Sequence, residues 1–519
     1  MSTQASSFED LISDLDGRSY SAKRKAIEAI QAVEDPRVLP TLQAMSDGQL
    51  FAMKSNKILV IGKSTLEGLE VTSILTQENL GVVNENTLKK VKINNSVRRT
   101  LRTALASLQL FSTDKEMRLQ SARDLIKNPD EDLRELLVEA MEKEKHASIK
   151  QEMSFALALI DIESDDIEAQ KKAIDILAQS LSPETVGVLK GITKKDSDGE
   201  YENNPELAKY AEKKLEKTLS LIQTMKFGEN LFFGISLGSV LLLAAIGLAI
   251  TFGVMGVINM AHGEMIMLGA YTTFAIQQLF PNFIEISVII AIPAAFLVSG
   301  SVGVVIERTI IRHLYGRPLE TLLATFGVSL VLQQLVRTYN SNNVPVITPD
   351  WMSGFYQVNG ALSLTYNRIY IILFSLMVLG ALALLLRKTM IGLQMRAVTQ
   401  NRAMANSMGI RSSWVDALTF GLGSGIAGMA GVALSQITNV GPNMGQGFII
   451  DSFMVVVFGG VGNLLGTFFG AMSLGIFGKF LEPFTGAVLG KIIVLVFIIL
   501  FIQWRPRGLF ALKGRFVED

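Results

Sequence analysis

The sequence predicts an all-α chain in two parts. A soluble, mostly helical HEAT-like domain with a small β insertion precedes a bundle of membrane-spanning helices. Three observations predict it. Apolar runs of membrane-crossing length begin at Leu231 and continue almost to the C-terminus. Before them, residues 1–225 keep the three-to-four-residue apolar period of packed amphipathic helices. Charge divides at the same place. The 48 basic and 48 acidic residues cancel overall, but residues 1–225 hold 31 and 37 of them and residues 226–519 hold 17 and 11. We therefore expect domains at 1–225 and 226–519, the first acidic and the second basic.

Composition excludes several classes. The basic residues of the first half are matched by acids along its helices, so no nucleic-acid partner is expected. There is no cysteine, which removes disulfides, thiol catalysis and Cys-based zinc sites. Three scattered histidines make no metal site, and no cofactor is expected.

In the soluble half, Arg18–Met45 reads as two helices split at Asp35-Pro36. Further helices are expected at 97–110, 115–127, 130–145, 148–161, 166–180, 183–192 and 205–224. AIEAIQAVEDPRVLPTL from Ala26 resembles AIDILAQSLSPETVGVL from Ala173, and SARDLIKNPDEDLRELL from Ser121 is a weaker echo. The unit is an apolar helix, a turn with Pro and acids, then a second apolar helix. Such pairs bury their inner faces on the next pair and form a short stack. An irregular helical bundle is the alternative. Residues 50–93 break the pattern with the β-prone runs KILVIG, LEVTSIL and KKVKI. Gly62-Lys63-Ser64 invites a phosphate-loop reading, but the required upstream Gly is missing.

In the membrane half, spans are expected at 231–257, 262–280, 286–311, 320–339, 368–386, 413–435, 449–460, 465–482 and 487–504. The run at 449–460 is too short for an ordinary crossing and reads as a broken or re-entrant helix. Basic residues set the orientation. Arg308, Arg312 and Arg317 follow the third span. Arg387, Lys388, Arg396, Arg402 and Arg411 follow the fifth. Arg505, Arg507, Lys513 and Arg515 follow the last. One topology places all of them on the cytoplasmic side with the C-terminus. Counting back puts the soluble domain outside, in the periplasm. The first thirty residues hold no apolar run of the signal-peptide kind, so that placement calls for an upstream leader.

Polar groups inside the spans are candidates for a solute path, because they should face protein or a water-filled cavity. Asn259, His262 and Glu264 lie together between two apolar runs. Thr325 and Gln333 lie in the fourth span, Ser424 in the Gly-rich sixth, and Asp451 in the short seventh. A satisfied cluster that fixes helices together is the competing reading. Between the fifth and sixth spans, Ala397, Asn401, Ala405 and Gly409 recur every four residues. On one helix they would form a stripe of small side chains suited to a groove on a partner.

That segment, Ala-x3-Asn-x3-Ala-x3-Gly-Ile between two hydrophobic spans, resembles the coupling loop of an ABC importer permease. GLAITFGVMGVINMAHGEMIMLGAY, ATFGVSLVLQ, GGVGNLLGT and the terminal RPRGLF extend the likeness. Over about residues 230–512 the chain is similar to the branched-chain amino acid permease family. The resemblance implies a transport subunit without catalysis of its own, in the bacterial inner membrane. It implies four kinds of contact: a second homologous permease subunit, two cytoplasmic ATPase subunits, a periplasmic substrate-binding protein and the lipid bilayer. Ala397, Asn401, Ala405, Gly409 and Ile410 would touch the ATPase. The long helical extension resembles that of the urea transporter permease subunit, which implies urea as the substrate. Branched-chain amino acids are the alternative. A membrane sensor using the soluble domain is the reading from a different class.

Overall fold

The structure is a computed structural model and describes residues 8–510 apart from 18, 34, 56, 66, 67, 341, 360 and 361. It divides into two compact units, Met1–Leu221 and Ile222–Asp519. Residues 511 and 512, at the end of the family resemblance, lie outside the described residues.

The first unit opens with α1 (Phe8–Ile12), α2 (Tyr20–Gln31) and α3 (Val38–Ser46). After a sheet come α4 (Asn95–Leu110), α5 (Lys115–Lys127), α6 (Arg134–Lys143), α7 (Ala147–Asp161), α8 (Ile167–Ser180) and α9 (Pro183–Ile192). Side-chain caps start most of them. Asn94, Asp114, Asp166 and Ser182 each accept a hydrogen bond from a first-turn amide. Their apolar faces meet in sequence order. Ile27, Ile30, Leu42, Val97 and Leu101 share one core, and α7 packs on both α5 and α8.

The β insertion has five antiparallel strands where the sequence shows three runs. They are β1 (Leu50–Met53), β2 (Leu59–Thr65), β3 (Gly68–Ser73), β4 (Asn79–Val83) and β5 (Leu88–Lys90), in spatial order β4-β3-β2-β1-β5. The two extra strands are β1, a four-residue apolar run buried between β2 and β5, and β4, a mostly exposed strand at the sheet edge. Gly62 and Lys63 sit inside β2, paired with Val71 and Glu70 of β3. A phosphate loop needs a free turn before a helix, so this placement excludes that reading.

The helix expected at 205–224 and the span expected from 231 are one element, α10 (Pro205–Met255), which begins within the first unit and continues into the second. The intervening MKFGEN has no proline, and one interior glycine costs only about 1 kcal/mol. Then follow α11 (His262–Leu279), α12 (Ile284–Thr309), α13 (Pro318–Tyr339), α14 (Tyr366–Lys388), α15 (Met390–Gln400), α16 (Arg402–Ser407), α17 (Ser412–Ser435), α18 (Met444–Gly459) and α19 (Leu464–Trp504). Among the described residues six helices are long and apolar enough to cross a membrane: α10, α12, α13, α14, α17 and α19. The short run of the sequence is α18. The span expected at 262–280 forms α11, which falls outside those six. The last helix holds both final predicted spans. It breaks at Gly486 (φ 77°, ψ 164°), and the rings of Phe477 and Phe497 lie 5.9 Å apart, so the two arms fold back on each other. A small hairpin, β6 (Phe355–Asn359) and β7 (Leu362–Thr365), occupies the loop after α13.

The centre of this unit is α17, packed against α11 and α12. Its glycines make the close approach possible. A Cβ on Gly428 would overlap the carbonyl oxygen of Ala295, and a Cβ on Gly269 would overlap that of Gly428.

Candidate functional site

A polar ladder runs along α13. Thr321, Thr325, Ser329, Gln333 and Arg337 recur every fourth residue, and the first four are buried. Helical geometry puts such residues on one face. That face meets the start of α11 and the link before it. The link exists because α10 ends at Met255 and Gly256 takes a left-handed turn (φ 68°).

Glu264, in the first turn of α11, is 1% exposed. Its Oε1 accepts from Ser329 Oγ (3.0 Å) and Gln333 Nε2 (2.7 Å). Gln333 Oε1 in turn accepts from Gln446 Nε2 of α18 (3.2 Å). One rung lower, Thr325 Oγ1 donates to Thr321 O (2.9 Å) and accepts from Met260 N (3.1 Å). Asn259 Oδ1 accepts from Ala261 N (3.0 Å). Within this cluster two buried polar atoms have no protein partner: the carboxyl oxygen Glu264 Oε2 and the amide nitrogen Asn259 Nδ2. Orphaned buried polar atoms are rare and costly.

The far end of the ladder borders a polar vestibule. Arg337 lies one turn beyond Gln333, about 6 Å along the axis. With Asn343, Thr438, Asn439 and Asn443 it lines a cavity of about 360 Å³. Arg337 Nη2 donates to Asn443 Oδ1 (2.7 Å), which fixes the guanidinium at the rim.

Of the residues singled out in the sequence, Asn259, Glu264, Thr325 and Gln333 meet here. His262, Ser424 and Asp451 lie elsewhere. His262 Nε2 bonds Ala244 O (2.8 Å) and stitches α11 to α10. Ser424 Oγ sits in the α12–α17 contact, where a Cβ on Gly303 would strike it, and has no hydrogen-bond partner. Asp451 accepts from Lys491 Nζ (3.0 Å) beside a separate apolar cavity of about 220 Å³. Sequence reasoning left Ser329, Arg337 and Gln446 out of the site. The four-residue period on α13 was the available signal for the first two. Gln446 had none, because it joins the cluster from another helix. Among the described residues no cluster of side chains is built to hold a metal ion.

The segment between α14 and α17 differs from its expectation. Asn401 leaves the helical region (φ −155°, ψ 103°) and caps α16 by accepting from Met404 N (2.9 Å). The small-residue stripe therefore does not lie along one helix. Ala405 is 5% exposed, packed with Met395, Val398 and Val415, and Ala397 and Ile410 edge the same cluster. Asn401 and Gly409 are exposed, the latter in a left-handed turn (φ 87°). The outer face carries Met404 (61% exposed) and Met408 (75% exposed). Arg402 anchors the segment. Its guanidinium pairs with Asp416 and lies 4.6 Å from the centre of the Tyr315 ring, whose hydroxyl donates to Glu307 (3.0 Å).

Residues 230–502 match the family model described as "Branched-chain amino acid transport system / permease component". The chain is similar to the high-affinity branched-chain amino acid transport system permease protein BraD of Pseudomonas aeruginosa. They are 30% identical over 292 residues, 54% of this chain and 94% of that protein. LivH of Escherichia coli K12, named as a permease of the same kind, is 29% identical over 297 residues, 55% of this chain and 96% of that protein. A probable LivH of Methanocaldococcus jannaschii is 26% identical over 287 residues, 52% of this chain and 88% of that protein. No solved structure matches the chain. The match covers more than half of the chain and runs through the polar ladder, its partner helices and the α15–α16 segment: this protein belongs to the branched-chain amino acid transport permease family.

Proposed function

We propose that the chain is the membrane-spanning permease subunit of a bacterial ABC importer, carrying a small polar solute across the inner membrane. The observation that carries this reading is the buried ladder of Glu264, Ser329, Gln333 and Gln446 beneath a polar vestibule, in a helical unit of the permease family. Hydrolysis of ATP belongs to two separate cytoplasmic subunits. They dock on the α15–α16 segment, and their closure rocks the helices that line the ladder. A second homologous permease completes the pore, and a periplasmic protein delivers the solute. The twelve basic residues at span ends support a cytoplasmic C-terminus and a periplasmic 1–225 domain.

Urea is the substrate we propose, because the helical extension resembles that of urea permeases and the ladder is rich in uncharged hydrogen-bonding groups. The unpartnered Glu264 oxygen would accept from a urea N–H. A branched-chain amino acid is the second reading, favoured by the names of the relatives and by the cationic Arg337 at the vestibule. Uptake of labelled urea and labelled leucine, with and without the gene, separates them. Loss of urea uptake alone is the expected result. Loss of leucine uptake alone would keep the permease and remove urea. No change in either would sink both substrates.

A further inference from the structure

We propose that the groove between α12, α15 and α17 binds one anionic phospholipid, with an acyl chain along the helices and the phosphate on Arg308. The groove has a volume of about 500 Å³ and an apolar lining that includes Leu297, Val304 and Val305 of α12, Leu418 and Leu422 of α17, and Ile391 of α15. Gly300 and Gly421 leave its floor open; a Cβ on Gly300 would lie 3.1 Å from the carbonyl oxygen of Gly421. Leu297, Val305, Leu418 and Ile391 are exposed on a helical unit of membrane-crossing length. An apolar slot in that setting faces hydrocarbon.

The rim identifies the lipid class. Arg308 lies one turn beyond Val304 and Val305, and Trp414 lies one turn before Leu418. The guanidinium stacks on the Trp414 ring at 4.6 Å, so both helices present their polar ends at the same edge of the slot. Trp and Arg side by side at the end of membrane helices mark the headgroup level. Arg308 Nη2 is buried without a hydrogen-bond partner, and its Nε makes an ion pair with Glu307 at 3.8 Å, too long for a hydrogen bond. The other charges packed at this end are unequal. Arg312, Arg387, Lys388, Arg396 and Arg411 are exposed, whereas the acids Glu307 and Asp416 are buried and Asp416 is taken by Arg402. A positive rim over an apolar slot complements a phosphate with an attached acyl chain.

Native mass spectrometry of the full-length chain, titrated with phosphatidylglycerol and phosphatidylcholine, tests this. We expect one retained phosphatidylglycerol, preferred at least tenfold over phosphatidylcholine. Arg308→Gln should abolish the preference, Arg308→Lys should restore most of it, and Val305→Trp should expel both lipids. Equal binding of the two lipids by the wild-type chain would overturn the proposal. So would an Arg308→Gln variant that keeps the preference while remaining monodisperse. Cross-linking from a Leu297→Cys variant to a second permease subunit, in place of lipid, would assign the groove to a protein interface and also overturn it.

Discussion

Arg402, on the short helix α16, pairs with Asp416 inside α17, and Asp416 is fully buried. The pair joins the α15–α16 segment to the helix at the centre of the bundle. Removing Arg402 leaves the buried Asp416 without its partner; because the guanidinium is 39% exposed, the cost falls below the roughly 3 kcal/mol of a fully buried pair. Arg402→Ala should therefore lower the melting temperature of the purified protein more than substitutions of exposed Arg396 do. Arg402→Ala with Asp416→Ala should cost less than the sum of the two single changes. Strict additivity in that double-mutant cycle would show that the pair does not hold the segment.

Glu264 offers a different test. Its Oε1 already accepts two hydrogen bonds, and only Oε2 is left for a solute. Glu264→Gln keeps the shape but turns one oxygen into a donor that competes with Gln333. A hydrogen bond contributes about 0.5–1.5 kcal/mol net, so uptake should fall roughly two- to tenfold at low solute concentration. Protein level in the membrane should stay the same. Unchanged uptake with a lowered melting temperature would make the cluster structural.

These two sites show what the sequence could carry. The nine apolar runs all became helices or arms of helices, because hydrophobic length is a local signal. Glu264, Thr325 and Gln333 stood out for the same reason: a polar side chain in an apolar run is visible by itself. Their grouping was not visible, since it depends on α11 and α13 being neighbours, and Gln446 enters from a third helix. Ser424 and Asp451 looked equivalent in the sequence and proved to be elsewhere. The stripe at 397–409 failed through Asn401, whose side chain caps a new helix and competes with continuation of the old one. The merging of 205–224 with the first span was hidden by an expectation that a domain boundary needs a loop.

The docking segment yields a prediction that reverses the simple one. A bulky residue at Ala405 would be expected to block a partner's groove. Ala405 instead faces Met395, Val398 and Val415, so Ala405→Trp overpacks the core. It should cost about 1–3 kcal/mol and reduce the amount of folded protein. The exposed Met404 and Met408 are the side chains that the proposed ATPase contact would use. Met404→Glu should leave the melting temperature unchanged and abolish uptake coupled to ATP. If Met404→Glu transports normally while Ala405→Trp is fully stable, the partner contacts the opposite face.

In the first unit, Glu144 gives a pH-dependent prediction. The Arg118 side chain hydrogen-bonds it (2.6 Å), and the amides of Lys145 (2.8 Å) and His146 (2.9 Å) also donate to it. The Arg118 bond is the main reason its carboxyl is held down to about 2. A lowered folded-state value means that the carboxylate contributes stability above the ordinary glutamate range near 4.5. That contribution fades as the pH falls from there toward 2. Its size at neutral pH is roughly 2–3 kcal/mol. Glu144→Gln should therefore raise hydrogen exchange in α5 and α7 of the full-length chain at pH 7. At about pH 2, where the wild-type carboxyl is itself protonating, the variant and wild type should converge. A difference in exchange that is the same at both pH values would mean that the side chain's shape, and not its charge, holds the two helices together.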